Sequence, residues 1–87
     1  MALTVDIVGP DRVLWSGQAT FISAQSVEGS IGLLPGHEPV LSVLAPGTVK
    51  VTQVGGEDRL VEVGGGFISF DHDVVTIVAE PREVELG

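Results

Sequence analysis

Cysteine is absent from the 87 residues, so no disulfide or thiolate metal site can staple the chain, which suits a reducing compartment. Aromatic residues make up only 5%. That is too few for stacking sugars or bases, and Trp15, Phe21, Phe67 and Phe70 all stand in apolar contexts where core packing is the expectation. Cations are also scarce. Arg12, Lys50, Arg59 and Arg82 face 12 acidic residues, for a formal charge of -8, and four scattered cations make no basic face for nucleic acid or anionic lipid. No apolar run approaches the roughly 20 residues that span a bilayer, and the opening Met-Ala-Leu-Thr-Val-Asp has no positive n-region. The expectation is a soluble, cytoplasmic-type protein without membrane insertion. Its acidity serves either solubility or steering toward a basic partner. Missing too is any apolar period of 3.6 residues sustained over three turns, which excludes a helical body.

What is present is aliphatic. Hydrophobic residues reach 44% with few aromatics, so the core is built from Val, Leu and Ile, whose β-branched members favour strands. A chain of this length makes one domain that buries roughly 60–65% of its unfolded surface. That domain is expected over residues 1–80, with 81–87, polar and proline-led, as a tail or weak edge strand.

Period-two alternation predicts the strands. Leu3 to Val8 reads as one, closed by Gly9-Pro10-Asp11; Arg12 to Ser16 as a short second; and Gln18 to Val27 as a longer third, apolar on both faces. In that third strand Ala19, Phe21, Ser23 and Gln25 are expected to face opposite to Thr20, Ile22 and Ala24. Between Pro39 and Pro46 lies a stretch too short for an independent helix, which we read as a strand. Thr48 to Val54, Gly55-Gly-Glu-Asp58 and Arg59 to Val63 form a hairpin signal, with Val49, Val51, Val61 and Val63 inward. Phe67 to Phe70 and Val74 to Ala79 flank an Asp71-His-Asp73 turn. Short strands at close, even spacing predict an all-β fold, a flattened β-sandwich or barrel.

The most constrained stretch is Glu28-Gly-Ser-Ile-Gly-Leu-Leu-Pro-Gly-His-Glu-Pro-Val-Leu41. Its glycines open backbone angles closed to other residues, its prolines fix φ, and the apolar positions between them call for burial, so it specifies one bent conformation that includes a buried-looking His37.

Residues with chemistry in them fall short of a site. Asp71, His72 and Asp73 are adjacent turn residues that diverge, where a closed zinc site wants four convergent ligands; a solvated turn is expected. His37 beside Glu38 has no serine placed by an elbow motif, which favours a structural or interface histidine over a general base. Gly64-Gly-Gly66 follows a strand without opening a helix and lacks the P-loop Lys, so it reads as a bulge or strand corner. Lys50, the only lysine, raises the possibility of a lipoyl or biotinyl carrier. Those carriers present their lysine at a hairpin tip, however, whereas Thr48-Val-Lys-Val-Thr52 sets Lys50 mid-strand. No catalytic residue, metal, cofactor or small-molecule substrate is expected.

In order and spacing, Leu3 to Val8 with Pro10-Asp11, Trp15-Ser16-Gly17, the Gly29-x-Ile-Gly32 to Pro35-Gly-His-x-Pro39 loop, Gly65-Gly66-Phe67 and Val75 to Glu80 resemble the N-terminal domain of the epsilon subunit of the F-type ATP synthase. The resemblance covers nearly the whole chain. It implies a flattened sandwich of about ten strands and a noncatalytic rotor subunit of the central stalk, linking the gamma subunit to the c-ring so that proton or sodium flow is coupled to ATP synthesis. It also implies a peripheral position on the cytoplasmic face of a bacterial plasma membrane. Carried over by position, Glu28, Gly29 and Ser30 occupy the tip that faces the c-ring, and His37, Glu38 and Ser42 fall where relatives meet gamma. At Ser30 many relatives carry an acidic side chain. In that family the chain continues into a two-helix domain tied to inhibition of hydrolysis and, in some members, ATP binding. Neither activity is expected of these residues.

Overall fold

The alternating residues form strands because each one buries a row of aliphatic side chains against the rows of its neighbours. In the computed structural model, which describes residues 2–80, Leu3, Val5 and Ile7 of β1 (Leu3–Val8) are all fully buried, as the period-two pattern requires. β2 (Val13–Ser26) follows, then β3 (Gly29–Leu33), β4 (Val40–Leu44), β5 (Gly47–Gln53), β6 (Asp58–Val63), β7 (Gly66–Asp71) and β8 (Val74–Ala79). The fold is all-β, as expected.

Eight strands appear among the described residues, where about ten were expected. Part of the difference lies at Gly17. The expected break there is absent, because a glycine in extended conformation leaves room for the Trp15 indole: a Cβ at position 17 would sit 2.9 Å from that ring. The short strand and the longer one anticipated on either side therefore fuse into the 14-residue β2. The constrained segment, in turn, is not wholly a loop, since Gly29 to Leu33 pair antiparallel with Ile22 to Ser26. The weak edge strand proposed for 81–87 lies outside the described residues.

β2 organises the sheet through its length. Its first half pairs antiparallel with β1 and its second half with β3, while β5 runs along the opposite edge from Ala19 to Ser23. β1 also pairs in parallel with β8, which continues through β7 to β4, and β4 returns to β2 at Ser26↔Leu44. These pairings close a ring, so the sheet folds over one interior instead of lying flat. Inside lie Leu3, Val5, Ile7, Ile22, Leu33, Val51, Ile68, Phe70, Val75 and Ile77, all at or below 1% exposure. Each is worth about 1.5–3 kcal/mol of burial.

Two inward assignments change. Along β5, Ala19 faces Gln53 and Phe21 faces Thr52, so Thr20 is an extra residue, a β-bulge. The bulge shifts the phase: Ala19 and then Ile22, Ala24 and Ser26 are buried, whereas Phe21 is half-buried against Gly32. Much of the apparent two-sidedness of this strand is thus one buried row read across a bulge. Phe67, expected in the core, is 55% exposed, because Ile68 and Phe70 of the same strand take the inward positions. Val49, Val51 and Val63 point inward as expected, with Val61 packed at the margin.

Candidate functional site

The constrained segment builds one concave surface from two tight turns. At the first, the Ser26 hydroxyl accepts the Glu28 N–H at 3.1 Å and donates to the Gly29 carbonyl at 2.8 Å, which closes the β2–β3 hairpin. Gly29 follows at φ 135°, a region other residues avoid. Gln25 Nε2 then donates across the strands to Ser30 Oγ at 3.1 Å. Glu28, Gly29 and Ser30 are all exposed at this tip.

The second turn is Leu34-Pro35-Gly36-His37. His37 N–H donates to the Leu34 carbonyl at 3.2 Å, with proline at the second position and Gly36 at φ 85° in the third, the geometry of a type II turn. The His37 ring leans edge-on against buried Phe70, centroids 5.7 Å apart at 80°, and its Nδ1 donates to the Glu38 carbonyl at 2.7 Å. His37 is nonetheless exposed, correcting the expectation of a buried histidine. Phe70 fills the interior, and the imidazole covers its edge.

A groove of about 510 Å³ opens between β3 and β4, lined on one side by Glu28, Gly29 and Ser30 and on the other by His37, Leu41 and Ser42. Five of the six residues singled out by resemblance therefore share one concavity. Glu38 is exposed beside His37, outside the lining. On the outer face next to this groove, Val43, Phe67 and Val78 align across β4, β7 and β8, each exposed by 44% or more.

Asp73, expected only as part of a solvated turn, has a structural role that sequence reasoning missed. Its Oδ1 accepts the Gly36 N–H at 2.7 Å and its main-chain carbonyl accepts Thr4 N–H at 2.9 Å, so one turn residue ties the constrained loop to β1. The available signal was an Asp in a hairpin turn, where short polar side chains tolerate φ > 0 and bond to nearby N–H groups; here φ is 61°. His72 contacts Asp71 at 2.8 Å on the exposed side of the same turn, and among the described residues no three potential ligands converge on a metal position. Lys50 lies mid-strand in β5, 3.5 Å from Asp58, which is not a carrier's hairpin tip. At Gly66 a Cβ would fall 1.9 Å from the Val78 carbonyl oxygen, so the triple glycine marks a close backbone approach, the strand corner that was expected.

The sequence model of the family described as "ATP synthase, Delta/Epsilon chain, beta-sandwich domain" matches residues 2–84. An ATP synthase epsilon chain of Rhodococcus erythropolis is 49% identical over 83 residues, covering 94% of this chain and 68% of its own. One from Corynebacterium diphtheriae is 48% identical over 90% of this chain and 64% of its own. One from Frankia casuarinae is 44% identical over 97% of this chain and 99% of its own. In structure, a chain of the Euglena gracilis mitochondrial ATP synthase OSCP/F1/c-ring assembly aligns with a TM-score of 0.84 at 28% identity, over 90% of this chain and 50% of that one. A chain of the Tetrahymena thermophila central stalk/c-ring assembly shares the fold, at a TM-score of 0.74 and 20% identity, over 93% of this chain and 65% of that one.

Proposed function

Because this chain belongs to the ATP synthase delta/epsilon-chain β-sandwich family, we propose that it is a noncatalytic central-stalk subunit whose work is mechanical: it holds the gamma subunit to the c-ring so that rotation driven by proton or sodium flow reaches the catalytic head. The chain spans about two thirds of the length of the Rhodococcus and Corynebacterium relatives and half of the Euglena chain, so activities of the remaining lengths are not carried over. Residues 1–80 act as the β-sandwich unit. Glu28, Gly29 and Ser30 face the polar loops of the ring, and His37, Glu38 and Ser42 face gamma. By this reading the subunit is peripheral, on the cytoplasmic face of a bacterial plasma membrane.

One observation carries the reading: two exposed segments are fixed at one groove on a closed sheet, the tip by Ser26 and the loop by Asp73. A linker that transmits torque needs preformed contact surfaces on a stiff body, because each side chain ordered on binding costs about 0.5–1.5 kcal/mol. The test is gel filtration of the full chain with the gamma subunit of the same organism. Co-elution is expected, and separate elution at micromolar concentrations sinks the proposal.

A further inference from the structure

We infer that the groove between β3 and β4 takes an extended, basic segment of its partner as an added strand on the open edge of β4. The inference rests on the gamma-facing reading above and specifies how that contact is made.

The pairing pattern supplies the argument. β4 pairs with β7 along its whole length but meets β2 only at Ser26↔Leu44. There the Val43 carbonyl accepts Val27 N–H at 3.0 Å and Ala45 N–H donates to the Gln25 carbonyl at 2.9 Å, after which β2 turns away at Val27. Main-chain groups two residues apart point to the same side of an antiparallel strand. The N–H and C=O of Leu41 therefore face the groove, and Leu41 is registered only against Ser69, on the other side. Across the groove, β3 is paired to β2 alone among the described strands. Proteins normally blunt such an edge with proline or lysine. Pro39 does so before the strand begins, but the Leu41–Val43 window has neither, and both of those side chains are exposed, at 79% and 44%. An open edge bordered by apolar side chains fits an incoming extended backbone, with hydrogen bonds along the main chain and pockets for alternate side chains.

Charge selects the occupant. Glu38 stands beside the groove on its gamma-facing side, the ring-facing tip closes the far side with a second carboxylate, Glu28, and the lining contains no lysine or arginine. Of the cations in the described residues, Lys50 lies against Asp58 on β5 and β6, while Arg12 and Arg59 belong to other strands or turns. A segment with alternating apolar and basic residues thus meets complementary chemistry, whereas an acidic one does not.

Amide-resolved hydrogen exchange on the full chain tests this with two probes: the cognate gamma subunit, and an acetylated, amidated Lys-Val-Lys-Val-Lys peptide beside a version methylated on its valine nitrogens. Exchange at Leu41 is expected to slow about tenfold or more with gamma and with the unmethylated peptide, and to stay fast with the methylated one. If gamma co-elutes while Leu41 exchanges as before, the inference is overturned and the central-stalk proposal stands. If the peptide protects Leu41 and gamma does not bind, strand addition stands and the central-stalk proposal falls. No protection by either probe overturns the inference, as does protection that grows with chain concentration alongside a dimer in sedimentation, which would make the occupant a second copy.

Discussion

The glycines separate steric need from backbone need one residue at a time. Gly66 combines φ 137° with a Cβ position 1.9 Å from a carbonyl oxygen of β8, so Gly66→Ala is expected to destabilise the domain by at least about 3 kcal/mol in urea titration. Gly36 has φ 85° but open space around it; Gly36→Ala there costs only the left-handed strain, about 1–2 kcal/mol. Gly32 is different again. Its φ is not positive, yet a Cβ would approach the Phe21 ring to 3.1 Å, so a substitution displaces a half-buried ring without straining the backbone. At Asp73 the acceptor for Gly36 and the tolerance of positive φ are tested together by mutation. Asp73→Asn keeps an acceptor for Gly36 N–H and tolerates φ > 0, and should leave the melting temperature within a degree or two, whereas Asp73→Ala loses both and should cost about 1–2 kcal/mol. Equal effects of the two variants would mean that neither the bond to Gly36 nor the tolerance of positive φ contributes.

Among the elements, β2 shows what period-two reading can and cannot reveal. The alternating rows of β1, β5 and β8 could be read from the sequence because each strand keeps one phase and each buried position is aliphatic. β2 keeps its phase only across a bulge, and a bulge has no fixed composition, so the inward row appears to change sides between Ala19 and Ile22. Deleting Thr20 removes the extra residue while keeping Ala19, Ile22 and Ala24 inward, and a cooperative thermal transition is expected to survive. Deleting Ser23 throws Ala24 and Ser26 to the outer face, and that transition is expected to vanish. The candidate site was readable in outline for a related reason: Pro35-Gly36 encodes its turn locally. Its closure onto Asp73, 37 positions away in the sequence, is a tertiary contact with no local signature. The β7–β8 turn offers a milder test. His72 and Asp73 both hold φ > 0, at 49° and 61°, so His72→Asn is expected to raise stability by a few tenths of a kcal/mol in the same titration.

For the whole molecule, a formal charge of -8 acts at a distance that contacts do not. Association with a basic partner should slow several-fold between about 0.05 and 0.5 M salt in stopped-flow measurements, because the Debye length shrinks below the approach distance. Glu28 makes no hydrogen bond through its carboxylate among the described residues. Glu28→Gln is therefore expected to weaken assembly while the melting temperature stays nearly constant, and a lowered melting temperature with intact assembly would instead make Glu28 part of the scaffold. The parallel ladder of β1 with β8 also bears on how the protein folds. Thr4 to Val8 lie beside Val74 to Val78, so this edge of β1 is completed only when the last described strand is in place. Such long sequence separation puts folding in the slow range of small β proteins. Until then β1, already held by β2 on one side, presents its other edge unpaired, a natural point of engagement for a chaperone.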